Sequence, residues 1–271
     1  MTMTIHRTAI ISEGAQIDPT AEIGPYAVIG ANVKIGARTK IGAHAVIDGH
    51  TTIGEECNIF AGASIGLEPQ DFSYKGEPTG VIIGNRVTVR EYATIHRASH
   101  EGFTEVGDDC FLMNYVHLAH NCKLGKGVIM ANMTMLAGHV QIGDGVVMAG
   151  AIIVHQFVRI GRLAMISGMS GARVDLPPFA TCSGRKLRVR AVNAIGMRRN
   201  KVPAEVRNAI KEAYRIIYRT ELNITQALEQ IEKEIHPHPE IKEILEFYRS
   251  SKRGVVGRNE VSGEGEEGED S

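Results

Sequence analysis

The 271-residue chain contains no tryptophan, and aromatic residues make up only 5% of it. A thick core assembled around large rings is excluded; a thin one filled by isoleucine, valine and alanine is not. Neither sign of charge is in excess. Thirty Lys and Arg against 31 Asp and Glu give a formal net charge of −1, which removes any global electrostatic case for binding nucleic acid or a membrane surface. No apolar run approaches the roughly 18–20 residues needed to span a bilayer, and the opening MTMTIHRTAI lacks the apolar core of a secretion signal. The four cysteines stand far apart, with no CxxC pair. Cys57, Cys110 and Cys122 each sit two residues before a repeating apolar position, a slot that Ala21, Ala27 and Thr51 fill elsewhere. Small buried thiols in a reducing cytoplasm are expected.

What is present is a ladder. Eleven isoleucines, Ile5 to Ile65, stand six residues apart, and glycine follows six of them. A helix places its apolar face at three- and four-residue steps, and a half-buried strand at two, so neither explains a period of six. A short strand plus a turn, wound as a coil, does; this is the hexapeptide repeat of a parallel β-helix. Three such units make one triangular coil of eighteen residues. Residues 67–80, rich in Pro, Gly and charge, read as a loop thrown out of the coil, and the repeat resumes at Ile83. A second excursion near 98–105 shifts the phase by five residues, and twelve slots then run unbroken from Val106 to Ala172. Roughly ten coils about 4.8 Å apart predict a prism about 48 Å long.

The pattern fails at Pro177-Pro178. From Pro203 the apolar spacing becomes helical, with three predicted helices around Val206–Ile217, Ile224–Ile235 and Ile241–Tyr248. The expected organisation is a β-helix over 1–186, an α-helical C-terminal domain over 187–253, and an acidic, disordered tail over 254–271.

The eighteen-residue ruler gives the histidines meaning. His120, Gly138 and Gln156 fall on one line in successive coils, with His139 and His155 a residue to either side. Removing the five-residue excursion puts Arg97 on the same line and His96 beside it; His117 precedes His120 by three. A lone histidine near a repeat is usually a structural hydrogen-bonding group. Five of the chain's eleven on one stripe point to a site, and imidazole suits proton transfer near neutral pH. Clustered histidines also bind zinc, but ligands must converge to about 2.1 Å of one point, which residues a whole coil apart do only if two subunits contribute. A second ladder, Asn114, Asn132, Gly150 and Gly168, marks another edge, where Asn and Gly suit turns of positive φ. Residues 176–204 hold a basic run from Arg185 to Lys201 that suits a phosphorylated ligand or an acidic partner; without interleaved aromatics it does not suit nucleic acid.

At these residues the chain resembles a known family. TIHR (94–97), VHLAHN (116–121), LAGHV (136–140), VHQF (154–157), PQDFSY with GEPT (69–79), and NAIGMRR (193–199) are similar to the UDP-N-acetylglucosamine O-acyltransferases of lipid A biosynthesis, over the chain up to about Arg253. The resemblance implies a left-handed coil, a homotrimer with sites between subunits, and neither metal nor resident cofactor, the 4′-phosphopantetheine arm arriving on acyl carrier protein. It implies transfer of a 3-hydroxyacyl chain from that carrier to the 3-position of a UDP-sugar. His120 would be the general base, Asn121 its orienting partner, and the Gly138 N–H the oxyanion donor. His117, His139, His155 and Gln156 would contact the substrates; Gln70 and Asp71 would hold the nucleotide sugar or the pantetheine arm. Asn193 and Arg199 would bind the uridine diphosphate end, and Gly168 would set acyl length.

Three departures bear on the acceptor. Asn121 stands where the family commonly has Asp, Ser73 where a lysine is common, and Ile195 where a glutamate is. An asparagine supports imidazolium less than a carboxylate does, which suits a more nucleophilic 3-amino sugar. Two other classes share the fold: a zinc-dependent carbonic anhydrase using histidines of adjacent subunits, and a non-catalytic scaffold, which has no need of aligned histidines.

Overall fold

The computed structural model describes residues 4–257. The chain is a left-handed parallel β-helix of two- to four-residue strands, followed by a small helical region. Among the described residues the strands stack into three sheets of eleven, nine and eight members, one per face of the prism. Partners lie eighteen residues apart, as Lys40 opposite Asn58 and His117 opposite Met135. The 67–80 loop lengthens one step to thirty, Asn58 opposite Thr88, and the 98–105 crossover makes another twenty-three, Thr94 opposite His117. The hexad residues Ile23 to Ile166 point inward and are buried.

The slot two residues before each inward aliphatic takes Ala, Val, Thr or Cys, because it faces the carbonyl of a turn fifteen residues on or nearby. Thr39 and Thr134 donate to Gly54 O at 2.7 Å and Ala149 O at 3.0 Å. Cys110 and Cys122 make the weaker thiol version to Gly125 O and Ala137 O, each at 3.2 Å. All four cysteines are free and buried, and burial pushes the Cys110 thiol up to about 11 and the Cys122 and Cys182 thiols up to about 12.

Positive φ falls elsewhere than expected. Along the edge marked by Asn114, Asn132, Gly150 and Gly168, the left-handed residues are the next ones: Tyr115, Met133, Ala151 and Met169. Each gives its N–H to the carbonyl one coil back, as Met133 to Asn114 O and Met169 to Gly150 O, both 3.0 Å. That inter-coil bond offsets the roughly 1 kcal/mol or more of backbone strain. The small residue before it is needed for closeness: a Cβ on Gly168 would stand 2.7 Å from Gly150 O.

The coil does not end at Pro177-Pro178. One further turn forms, two residues short, with Thr181 opposite Met165. Ala180–Ser183 then pairs antiparallel with Arg188–Val192, so 188–192 is a strand rather than part of a helical domain. The helices are α1 (Ala194–Arg199), α2 (Ala204–Arg219), α3 (Ile224–Glu234) and α4 (Pro239–Arg249). The last three match the predicted ones; α1 carries only one buried residue, Met197, and has no period to read. Buried Asp175 ties this region to the prism, accepting from Arg159 Nε at 3.1 Å and from Ser251 Oγ at 2.8 Å. Residues 254–257, assigned above to the tail, return to the prism: Asp175 and Val255 form a parallel bridge, and Val256 is buried. The rest of the expected acidic tail lies outside the described residues. Among the described residues no helix is long and apolar enough to cross a membrane.

Candidate active site

His120 and Asn121 form the turn that follows strand His117–Leu118. Asn121 adopts φ +58°, and its amide is fixed by backbone on both sides. Its Oδ1 accepts the Ser99 N–H at 2.9 Å, and its Nδ2 donates to Glu101 O at 3.1 Å. The oxygen is therefore the atom facing His120 Nδ1, 2.9 Å away. An oxygen acceptor requires Nδ1 to carry a proton, which leaves the Nε2 lone pair free.

That lone pair lies over Gly138. A Cβ at position 138 would stand 2.6 Å from both Cε1 and Nε2 of His120, so only glycine leaves the imidazole in place. Among the described residues the Gly138 N–H meets no protein acceptor. The ring of His139 meets that of His120 edge-on, centroids 5.2 Å apart, and stacks on Phe157 at 4.7 Å. Burial, followed by the charge of His120, lowers the His139 pKa.

The 67–80 loop folds back over this corner. Asp71 Oδ2 accepts from Ser99 Oγ, and Asp71 Oδ1 from Ser73 Oγ, both 2.6 Å. These hydroxyls, and more weakly a charged His120, hold the Asp71 carboxyl well below the usual carboxylate range. The Asp71 carboxylate thus interacts with His120 at a distance, without touching it. Arg97 roots the loop, donating from Nε to Tyr74 Oη at 3.0 Å and from Nη1 to Gly66 O at 3.2 Å. Gln70 is exposed beside Asp71.

The stripe resolves into pairs rather than one cluster. His96 and His117 meet edge-on at 5.3 Å, with His117 Nδ1 2.8 Å from Thr94 Oγ1. Burial, then the charge of His96, pushes His117 down to about 4. His155 lies on the surface, its Nδ1 3.2 Å from Arg253 Nη2, and Gln156 is exposed next to it. Among the described residues of one chain no three His, Cys, Asp or Glu side chains come together to hold a metal ion. Asn193 is built into the fold: its Oδ1 caps α1 at Gly196 N–H, 2.9 Å, and its Nδ2 donates to Leu163 O at 2.8 Å. Arg199 is exposed in the last turn of α1, far along the prism from Asp71 in the coil order.

Known proteins share the sequence pattern and the fold. The family profile described as UDP N-acetylglucosamine O-acyltransferase, domain 2, matches residues 175–256, and the bacterial transferase hexapeptide profile matches 14–49 and 103–138. An acyl-[acyl-carrier-protein]–UDP-N-acetylglucosamine O-acyltransferase of Thermodesulfovibrio yellowstonii is 49% identical over 93% of this chain and 98% of its own. The chain belongs to the UDP-N-acetylglucosamine O-acyltransferase family. Another member, from an Anaeromyxobacter species, is 42% identical over 94% of this chain and all of its own. The solved UDP-N-acetylglucosamine acyltransferase of Campylobacter jejuni superposes with a TM-score of 0.89 at 35% identity, covering 94% and 99% of the two chains. That of Francisella novicida gives 0.90 at 34%, covering 95% of each.

Sequence reasoning passed over two features of this family member. His100 reaches Ser73 from the crossover, and the outward row Met135 and Ile153 is 39% and 63% exposed on the face that carries His117. The row was legible, since apolar residues sit at the outward position of two successive strands. His100 was not, because it lies inside the segment that breaks the ruler.

Proposed function

We propose that the chain transfers a 3-hydroxyacyl group from acyl carrier protein to the 3-hydroxyl of UDP-N-acetylglucosamine, with His120 as general base. The observation that carries this is the His120 tautomer: Nδ1–H committed to Asn121 Oδ1 at 2.9 Å, Nε2 open above Gly138. Nε2 takes the proton of the sugar hydroxyl as its oxygen attacks the thioester carbonyl. The carbonyl oxygen gains charge, which the Gly138 N–H stabilises. Collapse of the tetrahedral intermediate breaks the C–S bond, and the imidazolium returns its proton to the leaving pantetheine sulfur. Asp71 favours the imidazolium electrostatically. The carrier brings the pantetheine, so the enzyme needs no cofactor of its own.

Further assignments belong to the same reading. His117, His139, His155 and Gln156 line the groove, and Gln70 and Asp71 hold the sugar or the pantetheine arm. Arg199 receives the uridine diphosphate, with Asn193 setting the helix it stands on. Gly168 bounds the acyl chain. The exposed apolar row of Met135 and Ile153 supports a homotrimer in which a neighbouring subunit covers this face and completes the site. The enzyme acts in the cytoplasm, where its carrier substrate is made. One observation favours a second acceptor, the 3-amino UDP-sugar: the base leans on an amide, Asn121, and an amine needs less help. Mass spectrometry of products formed from carrier thioesters and each UDP-sugar tests both. An ester on the 3-hydroxy sugar is expected; an amide formed in strong preference selects the second acceptor, and no acylated sugar from either sinks the reading.

A further inference from the structure

Proton bookkeeping around Ser73 fixes the state of a residue that the mechanism above does not use. The Ser73 hydroxyl has one proton, and at 2.6 Å from Asp71 Oδ1, an ionised oxygen, it must donate there. The His100 Nε2, 3.0 Å from the same Ser73 Oγ, must then be the donor in that contact. Its other ring nitrogen, Nδ1, faces Glu77 Oε1 at 3.6 Å. Glu77 is itself held ionised, chiefly by the Lys75 backbone N–H and further by His100. Asp71 Oδ2 lies 3.9 Å from Nε2, so the ring stands between two carboxylates of one loop. His100 itself has φ +64° and projects from the crossover toward the loop.

We propose that His100, through its Nε2–H to Ser73 Oγ, is a positioning residue that latches the 71–77 tip of the loop and thereby holds Asp71 at the corner beside His120. The proposal rests on the acyl-transfer reading. Other anchors hold the loop as well: Thr79 to Ala98 O, Arg97 to Tyr74 and Gly66, and His96 Nδ1 against Glu68 O, while Ser99 Oγ reaches Asp71 itself. Losing the latch therefore loosens the tip without detaching the loop, and the effect falls on sugar binding rather than on folding.

The test uses the full chain, His100→Ala and His100→Gln, with two readouts at one fixed pH. In steady-state kinetics, His100→Ala should raise the KM for UDP-N-acetylglucosamine about tenfold, the loss of one hydrogen bond at an ordered site, and change kcat much less. His100→Gln, whose side-chain amide again donates toward Ser73 Oγ, should recover most of that loss. Hydrogen exchange of the 71–77 amides, corrected for intrinsic rates, should show the same pattern without substrate: protection lost in His100→Ala and largely kept in His100→Gln. An alanine variant whose KM and tip protection follow the wild type overturns the latch. A wild type that acylates no UDP-sugar overturns the functional reading instead, and the exchange data still judge the latch.

Discussion

One oxygen, Asn121 Oδ1, accepts both the His120 Nδ1–H and the Ser99 N–H, each at 2.9 Å. The side chain that orients the His120 ring is thus also the clasp of the 98–105 crossover, so the proposed chemistry and the local architecture share an atom.

Replacing the base itself should separate the two. His120 is half-buried at a turn, outside the aliphatic core. His120→Ala should cost about 10²–10⁴-fold in kcat and leave the melting temperature nearly unchanged; activity within threefold of wild type would remove His120 from its role.

Gly138→Ala should imitate that loss while leaving His120 in the chain. The added Cβ would meet Nε2 and Cε1 at 2.6 Å, and the imidazole, being the end of a side chain, swings aside at little cost. A fall of about a hundredfold in kcat with an almost unaltered thermal transition is expected, on the scale of a misplaced catalytic group.

For Asn121→Asp two effects oppose. A carboxylate stabilises the imidazolium better, so turnover of a 3-hydroxy sugar should be equal or higher, and turnover of a 3-amino sugar nearly unchanged. The new oxygen loses the bond to Glu101 O, so thermal stability should fall, by about 1 kcal/mol. Kinetics on both sugars alongside a denaturant titration reads each effect; a large drop in rate would show that the amide, not its oxygen alone, is required.

Acid should destabilise the fold through His117. Burial lowers its folded pKa to about 4, below its unfolded value, so the unfolded chain binds more protons between roughly pH 6.5 and 4. Stability is fully present above that window and declines as pH falls through it. Comparison of wild type with His117→Gln should show a difference in pH dependence on the order of 2 kcal/mol, after discounting for partial exposure. Parallel curves would contradict it.

The basic run from Arg185 to Lys201 should serve the acidic carrier. Exposed charges are screened beyond about 8 Å at physiological ionic strength, so the KM for acyl carrier protein should rise with salt. Reversing Arg185, Lys186 and Arg190 together should raise it at low salt and flatten the salt dependence, while the KM for the UDP-sugar stays put. Unchanged carrier kinetics would dissociate the run from the carrier.

The prism was legible because one physical rule, an inward aliphatic every sixth residue, is printed without exception from Ile5 to Ile65. The same rule placed His120 over Gly138, and the two excursions shifted the register by the amounts the phase implied. What it could not give lies where the rule stops. Strand Arg188–Val192 and helix α1 are short and carry no period. Positive φ sits one residue beyond the Asn and Gly ladder because an inter-coil hydrogen bond, rather than side-chain preference, selects it. His100 and the double duty of Asn121 depend on two loops crossing in space, which spacing within either loop does not encode.

The two ends of the prism differ in kind. Pro177-Pro178, the antiparallel strand and the helices close one, whereas the described strands Thr4–Ile5, Ile10–Ile11 and Gln16–Ile17 each pair on one side only, and Ile10 is 62% exposed. Parallel ladders invite stacking wherever an edge is bare. At the other end, among the described residues, the antiparallel strand and the helices leave no such edge, so the C-terminal region acts as a chain terminator: a repeat regular enough to propagate without limit cannot grow from that side.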